Sequence, residues 1–356
     1  MSKIKPKRKI TKKKIIISIL VSLLVIVGIA IGYGIYLYNQ ANNIVTESHE
    51  DVGRANETSP FREAKVDPIE DNVSVLFIGV DDSEHRDSGN SRSDALVLGT
   101  FNKQKNTVKL LSVPRDSYVY IPEVEYSTKI NHAHAYGGPR ATIETIEEFL
   151  KTPVDYYVRL NFNAFVDIVD ALDGIWFDVP YEIVESDSGD QRDAIHLYPG
   201  YQHLDGEQAL ALARTRKYDS DIERGKRQQE ILKEIVETIA SASSLLRLED
   251  VLHAVGANMK TNLTMPEIRG FLSYGLADNI RIDNVNLAGI GDYMDDGAWY
   301  FQVDEESRIE IQEELREHLE LEPLADNTER YQDIVPPSFS DDNRLITPNS
   351  DALEFQ

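Results

Sequence analysis

One stretch constrains this chain more than any other. Residues 15–38 read "IIISILVSLLVIVGIAIGYGIYLY", and none of these 24 positions carries a charge. As a helix the stretch rises roughly 36 Å, enough to cross a hydrocarbon layer of about 30 Å with some tilt. Residues 1–14 hold eight Lys or Arg and no acid. The positive-inside rule then puts this basic tail in the cytoplasm and everything after residue 38 outside. A cleaved signal peptide would show an apolar run of about 7–15 residues followed by a small-residue cleavage site. This run is longer and ends in Tyr33, Tyr36 and Tyr38, which suits an interfacial belt, so a retained single-pass anchor is expected.

The anchor sharpens the charge balance. The whole chain of 356 residues has a formal net charge of -24, and the part beyond residue 38 holds 29 bases against 61 acids, a net of -32. Duplex DNA binding needs a broad basic face, so nucleic acid is excluded as a partner. There is no cysteine, which removes disulfides, thiolate metal sites and cysteine nucleophiles. Yet Arg214, Arg216, Lys217, Arg224, Lys226 and Arg227 crowd into the fourteen residues 214–227.

Residues 39–71 are polar with little apolar periodicity and read as an extracellular stalk with a helical start. Residues 321–356 hold four prolines among acids and amides and read as a loose tail. Between them, 72–320 alternates short apolar runs with helical patterns. "VSVLFIGV" (73–80), "DALVLGTF" (94–101), "TVKLLSV" (107–113) and "IWFDV" (175–179) read as strands, and "NVNLAGI" (284–290) as a late one. Helices are expected over 140–150, 163–172, 205–213, 227–240 and 266–277. The mixture predicts a layered α/β/α domain with a central mixed sheet.

If the first three strands form an up-down-up meander, one sheet edge collects Asp81 and Asp82, then Arg92 and Asp94, then Arg115 and Asp116. Two close carboxylates repel unless a cation or proton lies between them. Oxygen-only ligation suits a hard ion, Mg²⁺ or Mn²⁺. Arginines bind phosphate oxygens with charge-assisted, often bidentate bonds. Arg224, Arg227 and Gln228 share a helical face if their helix starts early enough. Plainer readings compete. An acid pair after a strand commonly caps a turn, and mixed charges at a helix start commonly form a solvated face. His132 and His134 lack a visible third ligand and read as structural, and Tyr156 and Tyr157 as packing residues.

The order of these segments carries a resemblance. "LFIGVDD", "RSDALVLGTF", "LLSVPRDSYVYIP", "KINHAHAYGGP", "PVDYYVRLNFNAFVDIVDALDGIWFDVP" and "PGYQHLDGEQALALARTRKYDSDIERGKRQQEI" cover residues 75–231 with little interruption. In this order, behind an anchor, they resemble the LytR-CpsA-Psr family of membrane-anchored glycopolymer ligases of Gram-positive bacteria. The resemblance implies a mixed sheet flanked by helices and a long apolar pocket for a polyprenyl chain. It also implies transfer of an anionic glycopolymer, such as wall teichoic acid or capsule, from a polyprenyl-pyrophosphate carrier. The acceptor would be the 6-hydroxyl of N-acetylmuramic acid in peptidoglycan, joined as a phosphodiester.

Carried over by position, Asp81 and Asp94 match acidic residues of the family's site near Mg²⁺. Arg92 and Arg115 match pyrophosphate-binding arginines, and Arg115 with the two aspartates forms the catalytic set. Arg214, Arg216, Arg224 and Gln228 match the rest of the cradle, with Lys129, Asp221 and Arg227 as additional candidates. Members often carry an arginine closer to the first aspartate than the loop "SEHRDSGNS" supplies, where Arg86 is nearest. Two alternatives remain at this level. A hydrolase would cleave the same carrier link with water, and a non-catalytic regulator would bind the carrier only. Product analysis with and without peptidoglycan separates the first, and activity of an Asp94→Ala variant the second.

Overall fold

The structure is a computed structural model. It describes residues 12–54, 58–81, 91–215, 221–239, 251, 254, 258–275 and 280–324, without the side chains of 12–26, 29, 30, 221, 239 and 272–275. The described helices and strands lie in one compact unit, Met1–Leu321.

Strands β1 (Val73–Val80), β2 (Ser93–Asn102) and β3 (Thr107–Ser112) form the expected meander. β1 pairs antiparallel with β2, and β2 with β3, across a turn in which Asn106 adopts φ 51°. β6 (Tyr156–Asn161) adds parallel to β1, and β12 (Arg281–Asn286) parallel to β3. With β11 (Met259–Thr261) antiparallel on the far edge, the six-stranded order is β11-β6-β1-β2-β3-β12. The central sheet is therefore mixed, as the strand pattern implies.

These strands read as almost unbroken apolar runs because both sheet faces are covered. Leu76, Ile78, Leu96, Leu98 and Leu111 point to one face. There they pack on Ile143, Ile146 and Leu150 of α2 (His132–Leu150) and on Ile311 and Leu315 of α7 (Glu305–His318). Phe77, Gly79, Ala95 and Val97 point to the other face. That side is covered by α3 (Phe162–Ala171), α4 (Gly206–Arg214) and α5 (Asp221–Ile239). The result is helix, sheet, helix in three layers.

Local signals fix the ends of these elements. Asn161, the last residue of β6, caps α3 by accepting from Ala164 N at 2.9 Å. Asp205 and Gln208 form a capping box at α4. α2 kinks at Gly137 and Gly138, so the helix expected from Arg140 has an extra first turn starting at His132. Several small pairs carried no clear sequence pattern. They are β4 (Tyr118–Ile121) with β5 (Tyr126–Lys129), β8 (Ile183–Glu185) with β9 (Ile195–Leu197), β7 (Ile175–Val179) with β10 (Gly200–Leu204), and β13 (Gly289–Tyr293) with β14 (Trp299–Val303). Of these, β7 is expected from the sequence, and the late strand expected over 284–290 is split between the end of β12 and the start of β13.

The segment read as a stalk is in part docked. α1 (Lys12–Ser48) runs unbroken from the apolar stretch, and Ala41 and Val45 are buried against Met265 of α6 (Met265–Gly275). Glu50 N donates to Thr261 O at 2.8 Å, and Arg62 makes two hydrogen bonds to Asp155 at 2.9 and 2.7 Å. Among the described residues, no helix is long and apolar enough to cross a membrane. The tail beyond residue 324 lies outside the described residues.

α7 carries a buried histidine. His318 is 4% exposed, with Nδ1 at 2.8 Å from Thr100 Oγ1 and Nε2 at 2.8 Å from Thr107 Oγ1. Burial, aided by Lys109 and Lys105, pushes its pKa down from 6.5 to about 4. Between those values the unfolded chain binds the extra proton and the folded one does not, so stability falls as pH falls through this window and levels below it. We expect the stability difference between wild type and His318→Gln to shrink steadily from pH 7 to pH 4 in denaturant titrations. A difference that stays constant with pH would refute this.

Candidate active site

The second sheet face holds a cavity of about 660 Å³. Its wall is apolar along most of its length, with Phe77 and Val97 from the meander, Val158 and Leu160 from β6, Phe165 and Ile168 from α3, and Ile231, Leu232 and Ile235 from α5. Its polar end gathers Asp81, Asp94, Arg115, Arg214, Arg224 and Gln228. Six of the sequence-derived site residues thus meet in one place, and an apolar pocket that sequence alone could not locate adjoins them.

Each polar side chain is placed by a specific device. Asp81 follows the last residue of β1. Asp94 sits at an irregularity: Gly79 pairs with Ala95 and Val80 with Ser93, which leaves Asp94 without a partner across the strand. Strict alternation would turn Asp94 to the α2 face. The bulge re-aims it to the cavity side, a common use of bulges beside active sites. Gly79 and Ala95 face each other next to it, and a Cβ on Gly79 would stand 3.1 Å from that of Ala95. Small residues here keep the cavity floor open.

Arg115 follows β3 and pairs with Asp94 Oδ1. Its Nε lies 3.6 Å from Asp116 Oδ2, and Asp116 Oδ1 accepts from Lys129 Nζ at 2.8 Å. A chain of alternating charge therefore leads from the cavity outward. Arg214 ends α4 with its guanidinium over the Phe162 ring at 4.8 Å, a cation–π contact. Arg224 is 4% exposed. It reaches the cavity because α5 lies hard against the sheet. A Cβ on Gly225 would come within 2.5 Å of Ser112 Oγ and 3.1 Å of its Cβ, so a larger residue here would force Ser112 to move. Gln229 fixes the same contact by donating to Leu110 O at 2.7 Å and to Val285 O at 3.0 Å.

Three residues expected at the headgroup are not among those lining the cavity. Arg227 does not line the cavity. Successive helical residues diverge by about 100°, so Arg224 and Gln228 share a face that Arg227 does not. Its Nε donates to Leu212 O at 2.7 Å and its Nη2 to Thr215 O at 2.8 Å. These belong to the carbonyls left without intrahelical donors where α4 ends. Arg92 and Lys129 are also absent from the cavity wall. Both lie near His132, whose pKa is lowered first by burial and then by these two cations. Arg216, Asp82 and Arg86, and the side chain of Asp221, lie outside the described residues.

The structural reading of His134 is supported by its contacts. Its Nδ1 lies 2.7 Å from Ser91 O, so that nitrogen carries the hydrogen and steadies the chain entering Arg92 and Asp94. Tyr157 is buried and its hydroxyl donates to Glu50 O at 2.8 Å, a packing role. Sequence reasoning missed Phe162 and Glu185 as lining residues. Phe162 had a signal in its place directly after the strand end "RLN".

The LytR_cpsA_psr family profile matches residues 35–317. The chain belongs to the LytR-CpsA-Psr family. A polyisoprenyl-teichoic acid–peptidoglycan teichoic acid transferase of Bacillus subtilis, TagT, is 38% identical over 318 residues, covering 88% of this chain and 97% of its own. A solved structure of TagT bound to LIIa-WTA superposes with a TM-score of 0.66 at 37% identity, over 76% of this chain and 100% of that one. TagT with bound octaprenyl pyrophosphate lipid superposes with a TM-score of 0.60 at 35% identity, over 74% and 97%. The family match begins at residue 35 and so includes the docked end of α1.

The contacts of Arg227 make a testable distinction between neighbours on α5. Arg227→Ala should lower unfolding free energy by about 2–4 kcal/mol, because buried carbonyls lose charged donors. Thermal and denaturant unfolding would show it. An unchanged midpoint would return Arg227 to the list of ligand-binding candidates.

Proposed function

We propose that this protein transfers an anionic glycopolymer from a polyprenyl-pyrophosphate carrier to the 6-hydroxyl of N-acetylmuramic acid in peptidoglycan. The observation that carries this reading is the shape and polarity of one cavity. An apolar wall suits an isoprenoid chain, and its polar end sets three arginines, Gln228 and two aspartates where a diphosphate would lie. The transferase name and bound lipid of the relatives point the same way.

The chemistry is phosphoryl transfer, in which positioning and charge stabilisation do most of the work. The muramyl hydroxyl oxygen bonds to the phosphorus that bears the polymer. The bond from that phosphorus to the bridging oxygen breaks, and polyprenyl phosphate leaves. The hydroxyl proton passes to Asp81 or Asp94, the carboxylates on the rim. Arg115, Arg214 and Arg224 offset charge that grows on the leaving and non-bridging oxygens. Gln228, held by Ala213 O at 3.2 Å, orients the headgroup.

Two rim carboxylates in a cysteine-free chain form an oxygen-only donor set, which fits Mg²⁺ or Mn²⁺. Among the described residues no group of three or more His, Asp or Glu is placed to hold a metal. Asp81 and Asp94 would therefore hold the ion together with phosphate oxygens and water. Once bound, it would neutralise pyrophosphate charge. We further propose that residues 15–38 span the membrane, with 1–14 in the cytoplasm and the cavity-bearing unit outside. The uncharged run and its basic flank support that topology.

Purified full-length protein in detergent, given a lipid-pyrophosphate-linked polymer, should leave polymer on glycan when peptidoglycan is present. Release of free polymer at the same rate with and without peptidoglycan would instead identify a hydrolase. Arg115→Ala should lose about 2–5 kcal/mol of stabilisation of the donor or transition state, as for a desolvated charge-assisted contact. Wild-type ligation by that variant would remove Arg115 from the mechanism.

A further inference from the structure

The donor cavity leaves open where the acceptor glycan sits. A lipid chain in the apolar end can leave the reacting phosphorus open only from the rim. The charged chain Asp94–Arg115–Asp116–Lys129 leads from that rim to a second surface built by β4, β5, the first turn of α2, and β14.

This surface is unusually aromatic. Tyr126 and Tyr136 are 48% and 41% exposed, and their hydroxyls lie 2.7 Å apart. The His132 ring meets the edge of Tyr136 at 6.1 Å, while its Nδ1 lies 3.1 Å from Thr128 Oγ1. Tyr118 packs edge-on to Tyr300 at 5.1 Å, and Lys129 Nζ lies over the Tyr300 ring at 5.6 Å. Arg92 is exposed and close enough to act electrostatically on both His132 and Tyr136.

The surface is held to the rim by backbone bonds. Asn131 N donates to Arg115 O at 3.1 Å, and Ser93 N to Asn131 O at 3.4 Å. Phe301 N donates to Asp116 O at 2.9 Å, which brings β14 beside the same residues. The turn bearing His132 and Tyr136 is thus fixed against the residues next to Asp94 and Arg115.

We propose that this face, with Tyr126, Tyr136, His132, Arg92 and Lys129, is the acceptor subsite and binds the glycan strand of peptidoglycan. Aromatic rings offer flat apolar area to the C–H faces of pyranose rings, and their hydroxyl tips bond to sugar hydroxyls and amides. The two cations suit the carboxylates of muramyl lactyl groups and stem peptides, within a chain that is otherwise strongly acidic. Neither cation is among the residues lining the donor cavity, and Lys129 borders this face while its ammonium also bonds Asp116 Oδ1 at 2.8 Å. The assignment rests on the transfer reading.

The test uses full-length protein, a lipid-pyrophosphate donor, and soluble oligosaccharides of alternating N-acetylglucosamine and N-acetylmuramic acid. Tyr136→Ala and Tyr126→Ala should each raise the acceptor concentration for half-maximal rate by about 3- to 10-fold. The donor concentration for half-maximal rate should not move. Tyr136→Phe should recover most of the loss if ring area dominates. An unchanged acceptor dependence, or a shift in the donor dependence instead, would overturn the assignment. If wild type made no transfer product, the transfer reading would fall. Calorimetric binding of the oligosaccharides would then decide the surface by itself: binding weakened by the tyrosine variants supports it, and no binding to wild type refutes it.

Discussion

The register of β1 on β2 and of β2 on β3 is the constraint on which the site depends. It places the end of one strand, the start of the next and the end of the third along one edge. The single irregularity in that register falls at Asp94. A slip of one residue would exchange the two faces of every strand. Leu76, Ile78, Leu96 and Leu98 would leave the α2 layer, and the small pair Gly79–Ala95 would leave the cavity floor. Because both faces are apolar and both are covered, such a slip costs core packing on each side. The chemistry at the edge is thus secured by burial well below it.

α5 ties the apolar and polar halves of the cavity together. Arg224, Gln228, Ile231, Leu232 and Ile235 form one stripe along it. The stripe rises roughly 16 Å from first to last residue. A ligand with a charged head and an extended apolar tail is matched by one helix, read from its first turn toward its last. Gly225 and Gln229 sit on the adjoining face and hold this helix to β3, so the stripe cannot drift from the rim.

Much of the fold was legible because its signals were local. The first three strands are short β-former runs separated by compact breaks, and their boundaries match to within a residue or two. The meander alone brings Asp81, Asp94 and Arg115 to one edge, while the bulge that turns Asp94 to the cavity side left no sequence signal. The start of α5 was harder, since "DIERGKR" has little apolar periodicity and contains glycine, a poor helix former. The pocket itself was not legible. Ile231 and Ile235 have the spacing of ordinary core residues, and nothing in that spacing says whether the neighbouring space is filled. Arg227 was misplaced for a related reason. Its residue type and position suited phosphate, but the carbonyls that claim it belong to α4 and meet it only in the folded chain.

The pairing of Asp94 with Arg115 bears on which molecules the cavity admits. Arg115 at the rim already has a resident counter-charge, so a small free anion arriving from solvent meets a partly compensated site. Such a visitor must displace a carboxylate and gains little else. A molecule that also brings a long hydrocarbon chain recovers the cost along the apolar wall, at roughly 25 cal/mol for each Å² removed from water. A preference for amphiphiles over soluble phosphates is thereby built into one ion pair.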